Sequence, residues 1–180
     1  MRRTDMAILA ALAAGACSTA GRERAAVDAP PGPSATQADI RDPSGRTVAR
    51  ASVSQLGDAL RVRIEATGLA PGIYGAHVHS AGRCDAPAFE SAGPHWNPTG
   101  RQHGRDNPAG QHLGDLPNLM VGTDGRGSFE FTIPGAALSG GARPVLDGDG
   151  AAVVVHARPD DYRTDPSGNS GARIACGVLG

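Results

Sequence analysis

Histidine is the residue type whose number and spacing in this sequence point to chemistry. Five of the six histidines fall within residues 77–115, and they are His77, His79, His95, His103 and His112. The sixth, His156, follows the valine run 153–155. Imidazole nitrogens are suitable ligands for zinc, copper, iron and nickel. The concentration of imidazoles in one segment therefore predicts metal sites.

The spacing inside residues 77–115 indicates two ways of presenting ligands. His77 and His79 flank Val78, so in a strand both imidazoles point to the same face. The later histidines are eight and nine residues apart, and the proline, glycine and asparagine between them are typical of a loop. A carboxylate such as that of Asp115, added to three imidazoles, completes a closed tetrahedral set suited to structural zinc.

Strands must position these ligands. Leu60, Val62 and Ile64 alternate with charged residues, which is the two-residue period of a half-buried strand. Residues 73–79 read as one strand, and the apolar run 151–156 as a strand buried on both faces. The 26 glycines and 14 prolines favour a turn-rich chain. We predict an all-β fold, an eight-stranded antiparallel Greek-key sandwich or barrel with two long functional loops at 80–115 and 157–172.

The first residues are typical of a targeting signal. Residues 1–16 combine Arg2 and Arg3 with a short apolar run and small residues before Cys17, so we predict a signal peptide. Either Cys17 is lipidated, as in bacterial lipoproteins, or the chain is simply cleaved. Residues 17–35 are then a flexible tether and 36–180 a single β domain. We expect an exported, periplasmic protein, with membrane attachment through an N-terminal lipid in the first case.

Export determines how the other two cysteines are interpreted. In an oxidising compartment Cys84 and Cys176 form an even pair, and we expect a disulfide that closes a loop of about 90 residues. In the chain-entropy model this constraint stabilises the fold by about 4–5 kcal/mol. Two buried free thiols are the alternative. The formal net charge of -1 argues against nucleic acid as a partner.

Several motifs together resemble a family. Residues 75–79, 91–98, 112–116, 154–156 and 168–178 resemble copper-zinc superoxide dismutases of the bacterial, exported type, in one order across residues 36–180. The resemblance implies a β-sandwich fold. It also implies disproportionation of superoxide to oxygen and hydrogen peroxide at a redox-cycling copper bridged to a structural zinc.

The resemblance also implies residue roles. Copper would be bound by His77, His79, His95 and His156. Zinc would be bound by His95, His103, His112 and Asp115. Asp160 would link the two sites without binding either metal, by accepting hydrogen bonds from His77 and His103. His95 and Arg173 would be catalytic, with Arg173 holding the substrate anion, and Cys84 would pair with Cys176.

The sequence is compatible with alternatives in substrate steering, in function and in oligomeric state. The segment 161–168 is shorter than the substrate-steering loop of eukaryotic relatives, so steering by this loop is in doubt. A non-catalytic copper carrier on the same fold, or a zinc-stabilised domain that never loads copper, would share much of the pattern. The complete ligand set and Arg173 favour the enzyme. Bacterial relatives vary in oligomeric state, so both monomer and homodimer are compatible with the sequence.

Overall fold

The computed structural model describes residues 34–180, so the predicted signal peptide and nearly all of the predicted tether lie outside the described residues. The described chain is all-β, as predicted. Its strands are β1 (Ala35–Arg41), β2 (Thr47–Leu56), β3 (Ala59–Ala66), β4 (Gly72–Tyr74), β5 (Ala76–His79), β6 (Leu119–Val121), β7 (Gly127–Pro134), β8 (Ala151–His156) and β9 (Arg173–Leu179). A single 3-10 turn, Glu90–Ala92, interrupts the first long loop.

Seven strands form one antiparallel sheet in the order β5-β8-β9-β1-β2-β3-β7, and β4 pairs with β6 in a second, two-stranded sheet. The first strand pairs with the last, since Arg41 lies opposite Cys176. The chain therefore crosses from β3 to the far end of the sheet before forming β5. This crossing agrees with the predicted Greek-key connectivity, and it places β5 beside β8.

Side-chain alternation explains why the strands form where they do. In β3 the residues Leu60, Val62 and Ile64 are fully buried while Arg61 and Arg63 between them are exposed. Strand β8 is buried along its whole length, as predicted for a strand covered on both faces. Val153 and Val155 of β8 contribute to the main core, whereas Ala152 and Val154 pack on the other side against Phe89 and Cys176.

The structure has nine strands where the sequence predicted about eight. The predicted strand at 73–79 is divided at Gly75, which donates its N–H to the Arg158 carbonyl at 2.8 Å and accepts from the His156 N–H at 2.9 Å. Before Gly75 the chain pairs with β6. After it, the chain pairs with β8. The division therefore marks the exchange of one partner strand for another, which local alternation does not reveal.

The two long loops lie where they were predicted, between β5 and β6 and between β8 and β9. The first is joined to β9 by the Cys84–Cys176 disulfide, whose half-cystines are 92 residues apart in sequence. This confirms the predicted bond. Within residues 34–180 no helix has the length and apolar character needed to cross a membrane.

The disulfide generates a stability prediction. Replacing both half-cystines (Cys84→Ser with Cys176→Ser) should lower the free energy of unfolding by about 4 kcal/mol, because an open loop of this length gives the unfolded chain more conformational entropy. Urea denaturation of the metal-free protein measures the change without a contribution from bound metal. Reduced wild-type protein should match the variant, and a loss below about 1 kcal/mol would contradict the chain-entropy account.

Candidate metal centre

Neighbouring strands bring His156 close to His77 and His79, from which it is distant in sequence. His77 and His79 lie on β5, and the register of β5 with β8 places His77 opposite Val154, two residues before His156. The ring centroids of His77 and His156 are 4.8 Å apart, and those of His79 and His156 are 5.7 Å apart. The buried sheet end therefore presents three imidazoles to one space.

A fourth imidazole enters from the first long loop. Residues His79 and His95 form an isolated antiparallel bridge, which places the His95 ring 4.0 Å from His77 and 4.9 Å from His79. These four residues can each offer one ligand atom so that all the atoms lie within 4.8 Å of one another. We call His77, His79, His95 and His156 the histidine cluster.

Each ring of this cluster has one nitrogen bonded and the other free. His77 Nε2 bonds Asp160 at 2.8 Å. His79 Nδ1 bonds the Gly93 carbonyl at 2.8 Å. His156 Nδ1 bonds the Gly171 carbonyl at 3.2 Å. The remaining nitrogens, His77 Nδ1, His79 Nε2, His95 Nε2 and His156 Nε2, are buried without a hydrogen-bond partner.

These unpartnered nitrogens fit a metal ion. A ring nitrogen that donates to an oxygen fixes the tautomer, so the opposite nitrogen carries a lone pair. Burial lowers the pKa of His77 to about 3, of His79 to about 2 and of His156 to about 4. The rings are therefore neutral at pH 7. Four buried lone pairs without donors are unfavourable unless a cation accepts them.

A second group of ligand atoms surrounds Asp115. Its Oδ1 lies 2.9 Å from His95 Nδ1, 3.0 Å from His103 Nδ1 and 3.2 Å from His112 Nδ1. His95 Nδ1 and His112 Nδ1 are 3.4 Å apart. We call His95, His103, His112 and Asp115 the carboxylate cluster.

These separations fit a tetrahedral ion. Zinc bonds of about 2.0–2.1 Å place tetrahedral ligands about 3.3–3.4 Å from one another, close to the four distances in this cluster. His77, His95, His103 and Asp115 also have ligand atoms within 4.8 Å. We assign His112 rather than His77 to the carboxylate cluster, because His112 Nδ1 lies 3.2 Å from Asp115 Oδ1, whereas His77 also belongs to the histidine cluster.

Asp115 is held so that one oxygen remains for this cluster. Its Oδ2 accepts the backbone N–H groups of Gly104 at 2.9 Å and His112 at 3.0 Å. Burial alone would raise the pKa of Asp115, but bonds from His103, His112 and His95 outweigh it and hold the pKa far below its usual range. Asp115 is therefore a carboxylate at every relevant pH.

Asp160 lies between the two clusters. Its Oδ2 is 2.8 Å from His77 Nε2 and its Oδ1 is 3.0 Å from His103 Nε2. Burial alone would lower the pKa of His103, but bonds to Asp115 and Asp160 raise it to about 9. Gly168 has φ 61°, and a Cβ there would overlap the Asp160 carboxylate. The loop backbone therefore packs directly on this acid.

Arg173 lies beside the histidine cluster at the start of β9. Its Nη1 donates to the Phe89 carbonyl and its Nη2 to the Gly93 carbonyl, both at 2.8 Å. Burial lowers the pKa of Arg173, yet a guanidinium remains charged in proteins. Arg173, His79, His95 and His156 line an open cleft of about 930 Å³. The cleft gives an external anion access to both the guanidinium and the cluster.

The structure brings together every ligand that the sequence predicted, and it adds residues that sequence reasoning missed. Gly93 and Phe89 act through backbone carbonyls, which residue type does not reveal. Asn118 donates to the Asp160 carbonyl oxygen at 2.9 Å and accepts from the Asp160 N–H at 2.8 Å. In the sequence, only its position three residues after Asp115 distinguishes Asn118, and that position alone does not predict a contact with Asp160.

Fold and site define a class: an antiparallel β protein with two adjoining metal-ligand clusters that share one imidazole. Comparison with known proteins makes this specific. Residues 47–179 match the sequence model of the family described as copper/zinc superoxide dismutase. The chain belongs to the copper/zinc superoxide dismutase family.

Curated relatives agree with this placement. Superoxide dismutase-like protein YojM of Bacillus subtilis is 48% identical over 124 residues, covering 68% of this chain and 63% of YojM. The match thus spans less than two thirds of that relative. Copper-zinc superoxide dismutase 1 of Aquifex aeolicus is 40% identical over 146 residues, covering 80% of this chain and 86% of the relative. The copper-zinc enzyme of Caulobacter vibrioides is 40% identical over 143 residues, covering 78% and 82%.

Solved structures show the same fold. A SOD-like protein from Bacillus subtilis superimposes with a TM-score of 0.75 at 41% identity, covering 79% of this chain and 97% of the other. Cu/Zn superoxide dismutase from Brucella abortus superimposes with a TM-score of 0.62 at 28% identity, covering 81% and 99%.

The carboxylate cluster yields a first metal-binding prediction. Asp115→Asn should weaken zinc binding by more than about 100-fold. Mutating a residue that only hydrogen-bonds to a metal ligand typically lowers metal affinity roughly 10- to 100-fold, and loss of a charged ligand should exceed that effect. Competition with a chromophoric chelator measures the affinity. Asp147→Asn is the matched control, since it changes an exposed aspartate that lines the cleft beside His95 and His112. Zinc affinity equal in both variants and wild type would remove Asp115 from the ligand set.

The histidine cluster yields a second metal-binding prediction. His156→Ala should prevent copper loading and leave zinc bound, because His156 belongs to only one of the two clusters. Elemental analysis after reconstitution with both metals gives the two contents. His112→Ala should show the reverse pattern, with zinc lost. Full copper content in the His156 variant would show that the assigned cluster is not the copper site.

Proposed function

We propose that the protein is a superoxide dismutase, with copper in the histidine cluster and zinc in the carboxylate cluster. One observation carries the proposal, namely the position of His95. Its Nδ1 lies 2.9 Å from Asp115 Oδ1, while its buried Nε2 has no hydrogen-bond partner and belongs to the other set of ligands. One ring can therefore bridge two ions, as the family implies.

The reaction converts two superoxide anions and two protons to oxygen and hydrogen peroxide. Bound copper would supply the redox chemistry, taking an electron from one superoxide and giving it to a second. Zinc has no redox chemistry, so its ligands stabilise the loop and hold His95. The remaining requirements are to orient a small anion and to deliver protons.

Proton delivery falls to His95. The carboxylate cluster retains its Nδ1, so its Nε2 can hold a proton beside the substrate without the ring leaving its position. Burial lowers the pKa of His95 although Asp115 opposes the shift. A proton on Nε2 is therefore readily given up to a newly formed peroxide, which is a stronger base than the ring.

Arg173 orients the substrate. Its two bonds to the Phe89 and Gly93 carbonyls fix the guanidinium plane at the cleft wall. A fixed guanidinium attracts a small anion and presents N–H donors in a defined direction. Asp160 and the Gly93 and Gly171 carbonyls orient the imidazoles, so the cleft holds its shape before the anion arrives.

A copper carrier without turnover is the competing function on the same ligand set. The decisive experiment reconstitutes the protein with copper and zinc, measures both metals, and follows superoxide consumption by stopped-flow absorbance. Rapid catalytic loss of superoxide supports the enzyme. A fully loaded protein that leaves superoxide at its spontaneous rate of decay would favour the carrier, and one that takes up zinc alone would favour a zinc-stabilised domain.

The proposed location is the periplasm. The Cys84–Cys176 disulfide fits an oxidising compartment, and residues 1–17 have the pattern of an export signal that ends in a lipidation cysteine. Attachment to a membrane through Cys17 is part of this proposal. Mass spectrometry of the protein from its native membrane fraction would detect a lipid on that residue, and a soluble product that begins after it would contradict attachment.

Arg173 provides a prediction about catalytic activity. Arg173→Ala should lower kcat/KM for superoxide by roughly 10- to 100-fold and weaken its dependence on ionic strength, because the fixed cation both attracts and orients the anion. Both metals should remain bound. The measurement is the rate of superoxide consumption at several salt concentrations.

Two companion variants make the result interpretable. Arg173→Lys keeps the charge and should lose less activity than the alanine variant. Arg61→Ala removes an exposed arginine of β3 that pairs with Glu130 at 3.4 Å and should leave the rate unchanged. An Arg173→Ala protein as fast as wild type, with the same salt dependence, would exclude this residue from the reaction.

A further inference from the structure

Asn118 makes an unusual set of contacts for a residue outside both clusters. It immediately precedes β6 and lies three residues after Asp115. Its Nδ2 donates to the Asp160 carbonyl oxygen at 2.9 Å, and its Oδ1 accepts from the Asp160 N–H at 2.8 Å. The side-chain amide therefore pairs with both backbone polar groups of Asp160, as a neighbouring strand would.

Tyr162 closes this arrangement. Its hydroxyl accepts from the Asn118 backbone N–H at 2.8 Å, and its own N–H donates to Asp160 Oδ1 at 2.7 Å. Its ring lies under the Arg105 guanidinium, 3.7 Å from the centroid. Asn118, Tyr162 and Asp160 thus form a closed set of hydrogen bonds that joins the end of the first long loop to the second.

The consequence lies at Asp160, whose carboxylate contacts one ring from each cluster. An Asp160 Oδ2 to His77 Nε2 distance of 2.8 Å and an Oδ1 to His103 Nε2 distance of 3.0 Å leave little tolerance for movement. The two hydrogen bonds from the Asn118 side chain fix the position of the Asp160 backbone, and therefore the position from which its carboxylate extends. Partners of ligating histidines that fix ring orientation affect metal affinity.

We propose that Asn118 is a positioning residue that holds Asp160 between the clusters, so that filling the carboxylate cluster also organises His77. The inference rests on the proposed assignment of the two clusters to zinc and copper. It adds that the zinc-binding loop and the histidine cluster are joined through this one amide as well as through His95. Asp160 is thus a route of contact between the sites in addition to His95, and Asn118 holds it in place.

The test uses full-length protein loaded with zinc alone, which is diamagnetic and needs no turnover. Histidine-selective ¹⁵N labelling and NMR report the Nε2–H groups of His77 and His103 that face Asp160. Asn118→Ala should shift these proton signals upfield and speed their exchange with water. We expect the zinc dissociation constant to rise about tenfold, at the lower end of effects known for outer partners.

A second variant covers the case in which alanine prevents folding. Asn118→Asp keeps an acceptor for the Asp160 N–H but places an oxygen opposite the Asp160 carbonyl, so both signals should shift in the same direction by a smaller amount. Asn169→Gly is the control. It removes an exposed amide that bonds Asp161 at 2.9 Å in the same loop, at a residue with φ 51° that glycine accepts.

The control should lower only the melting temperature, with both imidazole signals and the zinc affinity unchanged. Asn118 variants that lower the melting temperature but leave the two signals in place and the zinc affinity within twofold of wild type would overturn the inference. Failure of the wild-type protein to consume superoxide would refute the proposed function instead, since the NMR and zinc measurements do not depend on activity.

Discussion

The structure depends on four buried imidazole nitrogens that have no hydrogen-bond partner in the described chain: His77 Nδ1, His79 Nε2, His95 Nε2 and His156 Nε2. Burying a polar atom without a partner costs about 1–3 kcal/mol. A fold that accepts this cost four times must recover it elsewhere, and the chemistry of a lone pair leaves a cation as the partner. The opposite nitrogens are fixed by Asp160, by Asp115 and by backbone carbonyls, so the free nitrogens are aimed before any ion arrives.

The two clusters are built differently. In the histidine cluster, three of the four rings come from paired strands β5 and β8, so the sheet sets their separation. In the carboxylate cluster, every ligand comes from the first long loop, and the backbone N–H groups of Gly104 and His112 hold Asp115. Burial keeps the strand histidines neutral, whereas two carboxylates raise the pKa of His103 to about 9. The loop cluster therefore includes a negatively charged residue, Asp115, whereas the histidine cluster consists of imidazoles alone.

The sequence predicted the parts of this site that depend on local spacing. One residue, Val78, separates His77 from His79, so on a strand both rings lie on one face. The loop composition around His103 and His112 was equally recognisable. The approach of His156 to these rings could not be predicted from spacing, because it depends on the register of β5 with β8, a non-local pairing. The division at Gly75 escaped for the same reason. Family resemblance supplied the role of His156 where physical reasoning from spacing stopped, but it did not supply the division at Gly75.

The Gly93 carbonyl shows why the short segment 161–168 need not remove substrate attraction. This one oxygen accepts from both His79 Nδ1 and Arg173 Nη2, so the guanidinium is fixed relative to a ring of the histidine cluster. The segment that carries Gly93 and Phe89 begins near Cys84, and the disulfide joins it to the strand that begins with Arg173. The cation beside the cluster is thus positioned by the first loop and β9. The second loop is left to hold Asp160, and for that task a short, tightly hydrogen-bonded segment is sufficient.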